Sequence, residues 1–290
     1  MGKIEDGAKA LIKSKEITKH PASNLGFKAI PVATLPTRGW FYTKDINIAI
    51  KPAGIGEIRH WSTIEESDDI GTDNAINFIM ERCTKISYDG APGSFKDLKE
   101  IDRLYLIFAI RELTFKNGQN TLKAEFADGD ALSSVELTKE MISYFEMPDE
   151  FSEYYNEDER CFIFTNPENE TESLNVYFPS IGVSGEVTSW VNSMKQKRLT
   201  VEQDFIAAMQ FLTKDWRTLT PELLSKLRTD SNNWSLWKIS MLAYVADVVV
   251  ETVNPTMKIK KKNGEEDVVP LNFRGGLKAI FVIPNPLGRS

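Results

Sequence analysis

The side chains that commonly carry chemistry are few in this chain and far apart. There are two cysteines, Cys83 and Cys161, and two histidines, His20 and His60. Cysteines this sparse do not build a disulfide framework, and they fit a cytosolic assembly site. Two histidines in unlike settings exclude a His-rich metal site, although they leave a carboxylate site open. A Ser-His-Asp relay would have to draw on His20 or His60, and His20 lies in a polar, lysine-rich terminus. Asp149, Glu150, Glu153, Glu157, Asp158 and Glu159 cluster, but in a polar stretch. A catalytic carboxylate pair needs one member with a raised pKa, and no glutamate here stands in an apolar context. The Asp-x-Asp-x-Asp-Gly pattern of a calcium loop is absent. Gly54-Ile55-Gly56 lacks the third glycine and the Lys-Ser/Thr of a phosphate loop. Lys258, Lys260, Lys261 and Lys262 form a basic run, which Glu265, Glu266 and Asp267 neutralise across a turn. Asp102 and Arg103 read as a structural or solvated pair, the alternative being a buried pair with a positioning role. No catalytic, cofactor-binding or metal-binding residue is assigned, and no cofactor is expected.

Composition narrows the class of partner. The chain has 290 residues, 41% of them hydrophobic and 27% charged, with a net charge of −7. That length suits one large domain or two ordinary ones with a packed core. The acidic balance argues against a general nucleic-acid surface, which needs clustered lysine and arginine. No apolar run is long enough to span a bilayer, and residues 1–20 lack the apolar core of a secretory signal. The expectation is a soluble protein made in the cytoplasm, with no nucleic-acid, membrane or small-molecule partner.

Position along the chain is set by alternating turns and periodic segments. Residues 1–29 read as a flexible N-terminal arm. Lys3, Lys9, Lys13, Lys15 and Lys19 interleave there with Ile4, Ala8, Leu11 and Ile12. The alternative is an arm that orders against a neighbouring subunit. At 35–42 the run L-P-T-R-G-W-F-Y makes a turn, because Pro36 cannot donate to a ladder and Gly39 accepts a positive φ. Ile46, Ile48 and Ile50 then alternate as a half-buried strand. Helices are expected at 73–88 and 97–113, the second apolar nearly all round after Leu104 and so central. Asn117-Gly118 marks a hairpin between 113–116 and 121–126. A strand at 134–137 leads to a short helix capped at Thr138. Runs 161–165 and 174–178 read as a second hairpin.

A boundary is expected near 179–185, and helices follow at 185–197, 200–216, 220–228 and 234–252. Ser184, the Thr200 and Gln203 capping box, Thr220 with Pro221, and Asn232 or Asn233 start them. Another hairpin surrounds Asn263-Gly264, and 279–283 reads as an apolar strand. The expected fold class is α+β, mainly α-helical: helical bundles with small β-hairpin modules and extended termini. The expected organisation is an arm at 1–29, a mixed domain at 30–180, a helical domain at 181–253, and a hairpin with a C-terminal arm at 254–290. Leu35, Pro36, Gly39, Trp40, Phe41 and Tyr42, with Ile280, Phe281, Val282 and Ile283, are the candidate interface anchors. Burial of 35–42, and a tail whose last twenty residues leave the globular body, are expected.

The turn at 35–42 resembles the "L-P-S-x-G-x-x-Y" entry of a family of tailed-phage structural proteins, the T4-type baseplate hub subunits and related tail-assembly proteins. The order that follows is similar: an alternating strand, a helix carrying Asn77 to Cys83, then D-R-L-Y-L-I-F-A-I-R at 102–111, like the family's "D-R-x-x-L-x-x-x-R" helix. The resemblance covers residues 31–126, with a looser echo in the C-terminal helices. It implies a non-catalytic virion component of a contractile tail baseplate, at or near the hub. The implied partners are other baseplate or tail proteins and further copies of the chain. A tail-assembly chaperone absent from the virion is the alternative, and a tail-associated peptidoglycan hydrolase the more remote one. The family's hairpin with paired cysteines resembles a zinc ribbon. Here Cys161 stands alone and the 257–269 hairpin has no cysteine, so the hairpins are expected to hold without metal.

Overall fold

The computed structural model describes residues 26–65, 67–115, 122–128, 131–137, 141–143, 149–253, 256–261, 264–273 and 276–282. The alternating isoleucines do what their spacing dictates. They form β2 (Ile46–Ile50), in which Ile46, Ile48 and Ile50 are all buried. β2 is flanked by β1 (Lys28–Ile30) and β3 (Thr84–Tyr88), and β4 (Ala91–Pro92) completes an antiparallel sheet in the order β1-β2-β3-β4. Pairing of Ile48 with Ile86 puts the apolar set of both strands on one face. Helices α1 (Ile55–Trp61), α2 (Asp69–Cys83) and α3 (Arg103–Thr114) supply much of the rest of this core. Asp68 accepts from the Gly71 amide and starts α2 earlier than the expected 73.

A second core is built by a β sheet and four helices. β8 (Tyr155–Asn156), β9 (Cys161–Asn166) and β10 (Asn169–Val176) pair in the order β10-β9-β8. They pack with α4 (Ile181–Gln196), α5 (Gln203–Leu212), α6 (Pro221–Ser231) and α7 (Leu236–Val253). α4 begins before the expected Ser184, because the Ser180 side chain accepts from the Val183 amide. α6 starts where the Thr220-Pro221 pair predicts, with the Thr220 hydroxyl accepting from Leu223. The hydrophobic clusters divide the chain otherwise than at 180: the 161–176 hairpin shares its core with the helices that follow it.

Two small sheets meet over Ala124, Phe126, Met257 and Ile259. In one, β5 (Lys123–Asp128) lies between β6 (Ala131–Glu136) and β13 (Asn272–Phe273). In the other, β11 (Thr256–Lys260) lies between β7 (Ile142–Ser143) and β12 (Glu266–Pro270).

These sheets correct the expected fold class. The described residues are 46% helical and 25% strand, a mixed α+β protein with several antiparallel sheets and not a set of helical bundles carrying minor hairpins. The reason is backbone satisfaction. A hairpin edge offers unpaired amide and carbonyl groups. One edge each of β5-β6 and β11-β12 is paired by a short strand remote in sequence, β13 and β7, as β8, next to it in sequence, pairs with β9.

The tail is the second correction. Residues 277–281 form a 3-10 turn, not a strand, and Ile280 and Phe281 are buried in the first core. Trp61 Nε1 donates to the Leu277 carbonyl at 3.0 Å, Arg111 Nε donates to the Ile280 carbonyl at 2.8 Å, and the Phe281 ring lies 5.0 Å from that of Trp61. Burying two large apolar side chains stabilises this placement by roughly 3–6 kcal/mol, which an extended arm would forgo. The expected arm through residue 25, the Asn117-Gly118 turn, the Thr138 cap, Ile283 and the last residues lie outside the described residues.

Candidate functional site

The turn at 35–42 is forced by two successive residues with positive φ, Arg38 at 51° and Gly39 at 79°. A Cβ at Gly39 would stand 3.1 Å from Val32 Cγ2, so glycine suits both the conformation and the space. The turn splits its side chains between the two cores. Leu35 and Tyr42 enter the first, Phe41 enters the second, and Trp40 packs at the second core's margin. Phe41 stacks on Phe178 at 4.0 Å between centroids and meets Phe162 edge-on at 5.7 Å. The Trp40 ring lies 4.8 Å from that of Tyr155, whose hydroxyl donates to the Trp40 carbonyl.

Beneath the turn sits Asp102, fully buried just before α3. It accepts from the Thr37 amide at 3.0 Å, the Thr37 hydroxyl at 2.8 Å and the Tyr42 hydroxyl at 2.7 Å. Tyr42 Oη in turn accepts from the Lys99 amide at 2.8 Å, and Lys99 Nζ donates to the Phe178 carbonyl at 3.0 Å. Burial pushes the Asp102 carboxyl up to about 6, and the bonds from Thr37 and Tyr42 and the charge of Lys99 hold it from going higher. Burial likewise brings Lys99 down to about 8, opposed by Asp102 and Asp97. Tyr42 is raised well above its usual range by burial, then by the Asp102 charge.

The segment around Asp102 also ties the cores by its backbone. Glu100 N donates to the Pro179 carbonyl, and Ile181 N to the Leu98 carbonyl. Arg103 faces elsewhere, with Asp73 at 2.7 Å and Glu100 at 2.9 Å. Asp102 and Arg103 are therefore not a pair with each other. A second polar knot lies close by. Asp97 accepts from Trp216 Nε1 at 2.8 Å and from Arg217 at 3.0 Å. Burial works against its charge, but the bonds from Arg217, Ser94 and Trp216 outweigh it and hold the carboxyl below its usual value.

The anchor residues thus lie mostly inside. Leu35, Pro36, Phe41, Tyr42, Ile280 and Phe281 are buried, Gly39 and Trp40 half-buried, and Val282 exposed. Cys83 and Cys161 are buried free thiols, and burial raises Cys83 to about 12, far from a reactive thiolate. Among the described residues no three His, Cys, Asp or Glu side chains gather as metal ligands, and no helix is long and apolar enough to cross a membrane.

What the sequence reading missed is on the surface. α7 buries Leu242, Val245 and Ala246 but exposes Leu236, Ile239 and Tyr244. The signal was present: between Leu236 and Val248 only Lys238, Ser240 and Asp247 are polar, and Ser240 and Asp247, seven residues apart, mark the outward side that Leu236 and Tyr244 share. A comparison with protein families, curated proteins and solved structures finds no match to this chain.

Proposed function

We propose that the chain is a non-catalytic structural component of a contractile phage tail baseplate, at or near the hub, and that it works by binding other tail proteins. The observation that carries the contact role is the outward face of α7, where Leu236 is 80% exposed and Tyr244 and Ile239 are exposed beside Ser240 and Asp247. An apolar helix face left in water is free energy available to association. The buried polar groups point the same way. Asp102, Tyr42 and Lys99 are engaged with one another and with backbone, so their shifted pKa values belong to a structural clasp. The tail assignment rests on the resemblance of 35–42 and 102–111, and those two segments meet at Asp102.

Protein mass spectrometry of purified virions of the phage that encodes the chain tests the reading. Presence at a fixed ratio to other tail proteins is expected. Absence from the particles removes the structural role and leaves an assembly chaperone. Lysis of cell-wall material in a zymogram by the purified chain would replace both with a hydrolase.

A further inference from the structure

The second core is nearly self-contained. Among the described residues its members come from 149–253, apart from Phe41, Ile101 and, at the margin, Trp40. In return that stretch gives the first core Ile181 alone, and the small third cluster nothing. The chain enters and leaves the stretch at one place. β7 precedes it and β11 follows it, and the two pair, Ser143 with Thr256 and Ile142 with Met257. Residues 149–253 are thus an insertion whose two covalent connections lie side by side, an arrangement that lets a folded unit sit within a host.

The other attachments gather in two short stretches of the host, 40–44 and 96–101. Phe41 stacks on Phe178, and Trp40 meets Tyr155. Lys99 Nζ donates to the Phe178 carbonyl, Glu100 N to that of Pro179, and Ile181 N to that of Leu98. Asp97 accepts from Trp216 and Arg217, Lys96 meets Glu186 at 3.1 Å, and Lys44 meets Glu157 at 3.2 Å. The two stretches are joined within the host, because Tyr42 bonds both Asp102 and the Lys99 amide. Most contacts across this joint are polar and can be exchanged for water at small net cost. We infer that residues 149–253 open from the host as one folded body about the β7–β11 pair, with Trp40 and Phe41 as the latch. Opening withdraws Phe41 and Ile101 from the second core and Ile181 from the first, and uncovers an aromatic socket of Tyr155, Phe162 and Phe178. This device does not rest on the tail assignment.

Native-state amide hydrogen exchange of the full chain, resolved by residue, tests it. The Glu100 and Ile181 amides, which cross the joint, are expected to exchange together and at least about tenfold faster than the strand amides of β2 and β9. Val245→Ala, within the second core, should speed exchange in β9 and leave those two amides unchanged, because the insertion stays folded when it opens. Trp40→Ala, which trims a half-buried ring from the latch, should speed both joint amides by about tenfold, and Phe41→Ala by about a hundredfold. Where Phe41→Ala does not fold, Trp40→Ala carries the same test. Exchange of Glu100 and Ile181 at the rate of the strands, their acceleration by Val245→Ala as large as that of β9, or no response to Trp40→Ala would overturn the inference.

Discussion

The clasp at Asp102 and the outward face of α7 invert the usual arrangement in opposite senses. One places a carboxylate where no water reaches it, and the other places leucine, isoleucine and tyrosine in solvent. The first is held by three donors, two from Thr37 and one from Tyr42, which offset part of the burial cost that keeps the carboxyl pKa raised. In the second, Tyr244 meets Glu150 and Phe151, and Leu236 stays 80% exposed. A buried carboxyl held by hydrogen bonds contributes to the fold, and exposed apolar side chains contribute little to it. The two regions should therefore respond oppositely to mutation: the clasp through stability, the face through association.

The largest expected effect is at the clasp. Asp102→Ala leaves the Thr37 amide and hydroxyl and the Tyr42 hydroxyl buried without their acceptor, and should lower unfolding free energy by about 3–5 kcal/mol. Urea denaturation checks this. A loss under about 1 kcal/mol would mean that the clasp is not what joins the cores.

Next comes the contact that the neighbouring knot makes with α4. A Cβ at Gly182 would lie 2.4 Å from Trp216 Cγ, so Gly182→Ala must displace the indole that bonds Asp97. Helix propensity favours alanine by about 1 kcal/mol. Overpacking should win, with a net loss of about 1–2 kcal/mol and a changed tryptophan emission. A gain in thermal midpoint would show that Trp216 moves freely.

Acidity gives the third test. The folded pKa of Asp102 is raised, so its stabilising contribution is full below the unfolded value near 3.8 and is lost as pH rises through about 6. Acidifying from about pH 7 to about pH 5 should therefore strengthen wild type relative to Asp102→Asn by about 1 kcal/mol. Asp97 has the opposite sign: its contribution is present above the unfolded pKa and is lost as pH falls through its lowered folded value. Parallel pH profiles for wild type and Asp102→Asn would contradict the clasp's electrostatics.

The smallest effect on stability is expected on α7. Leu236→Ser should change unfolding free energy by less than about 0.5 kcal/mol, since the side chain is 80% exposed. A loss near that of Asp102→Ala would break the contrast between the two regions.

The parts of this architecture that were legible are those written within a few residues. Ile46, Ile48 and Ile50 alternate, and a strand with one buried face follows from the pleat. Thr220 before Pro221 marks a helix start because the hydroxyl accepts an otherwise free amide and proline needs none. The apolar composition after Leu104 marks a central helix, and α3 is central. Of the site, the turn at 35–42 was visible from Pro36 and Gly39, but the partner of its polar groups was not. Asp102 stood next to Arg103 in sequence, and adjacency suggested a pair; yet neighbouring helical side chains diverge, and each found its partners elsewhere.

Sequence by itself determined the local elements, their caps and the segment that must turn, because propensity and periodicity act over one or two turns of chain. Only the tertiary structure decided that Tyr42 and Thr37 close on Asp102, that residues 277–281 fill the space beside Trp61 and Phe115, and that short remote strands complete the hairpins. Those contacts join positions 60, 65 and 216 residues apart. No local rule specifies such pairings; they follow from which buried donors, acceptors and cavities remain to be satisfied once the cores have formed.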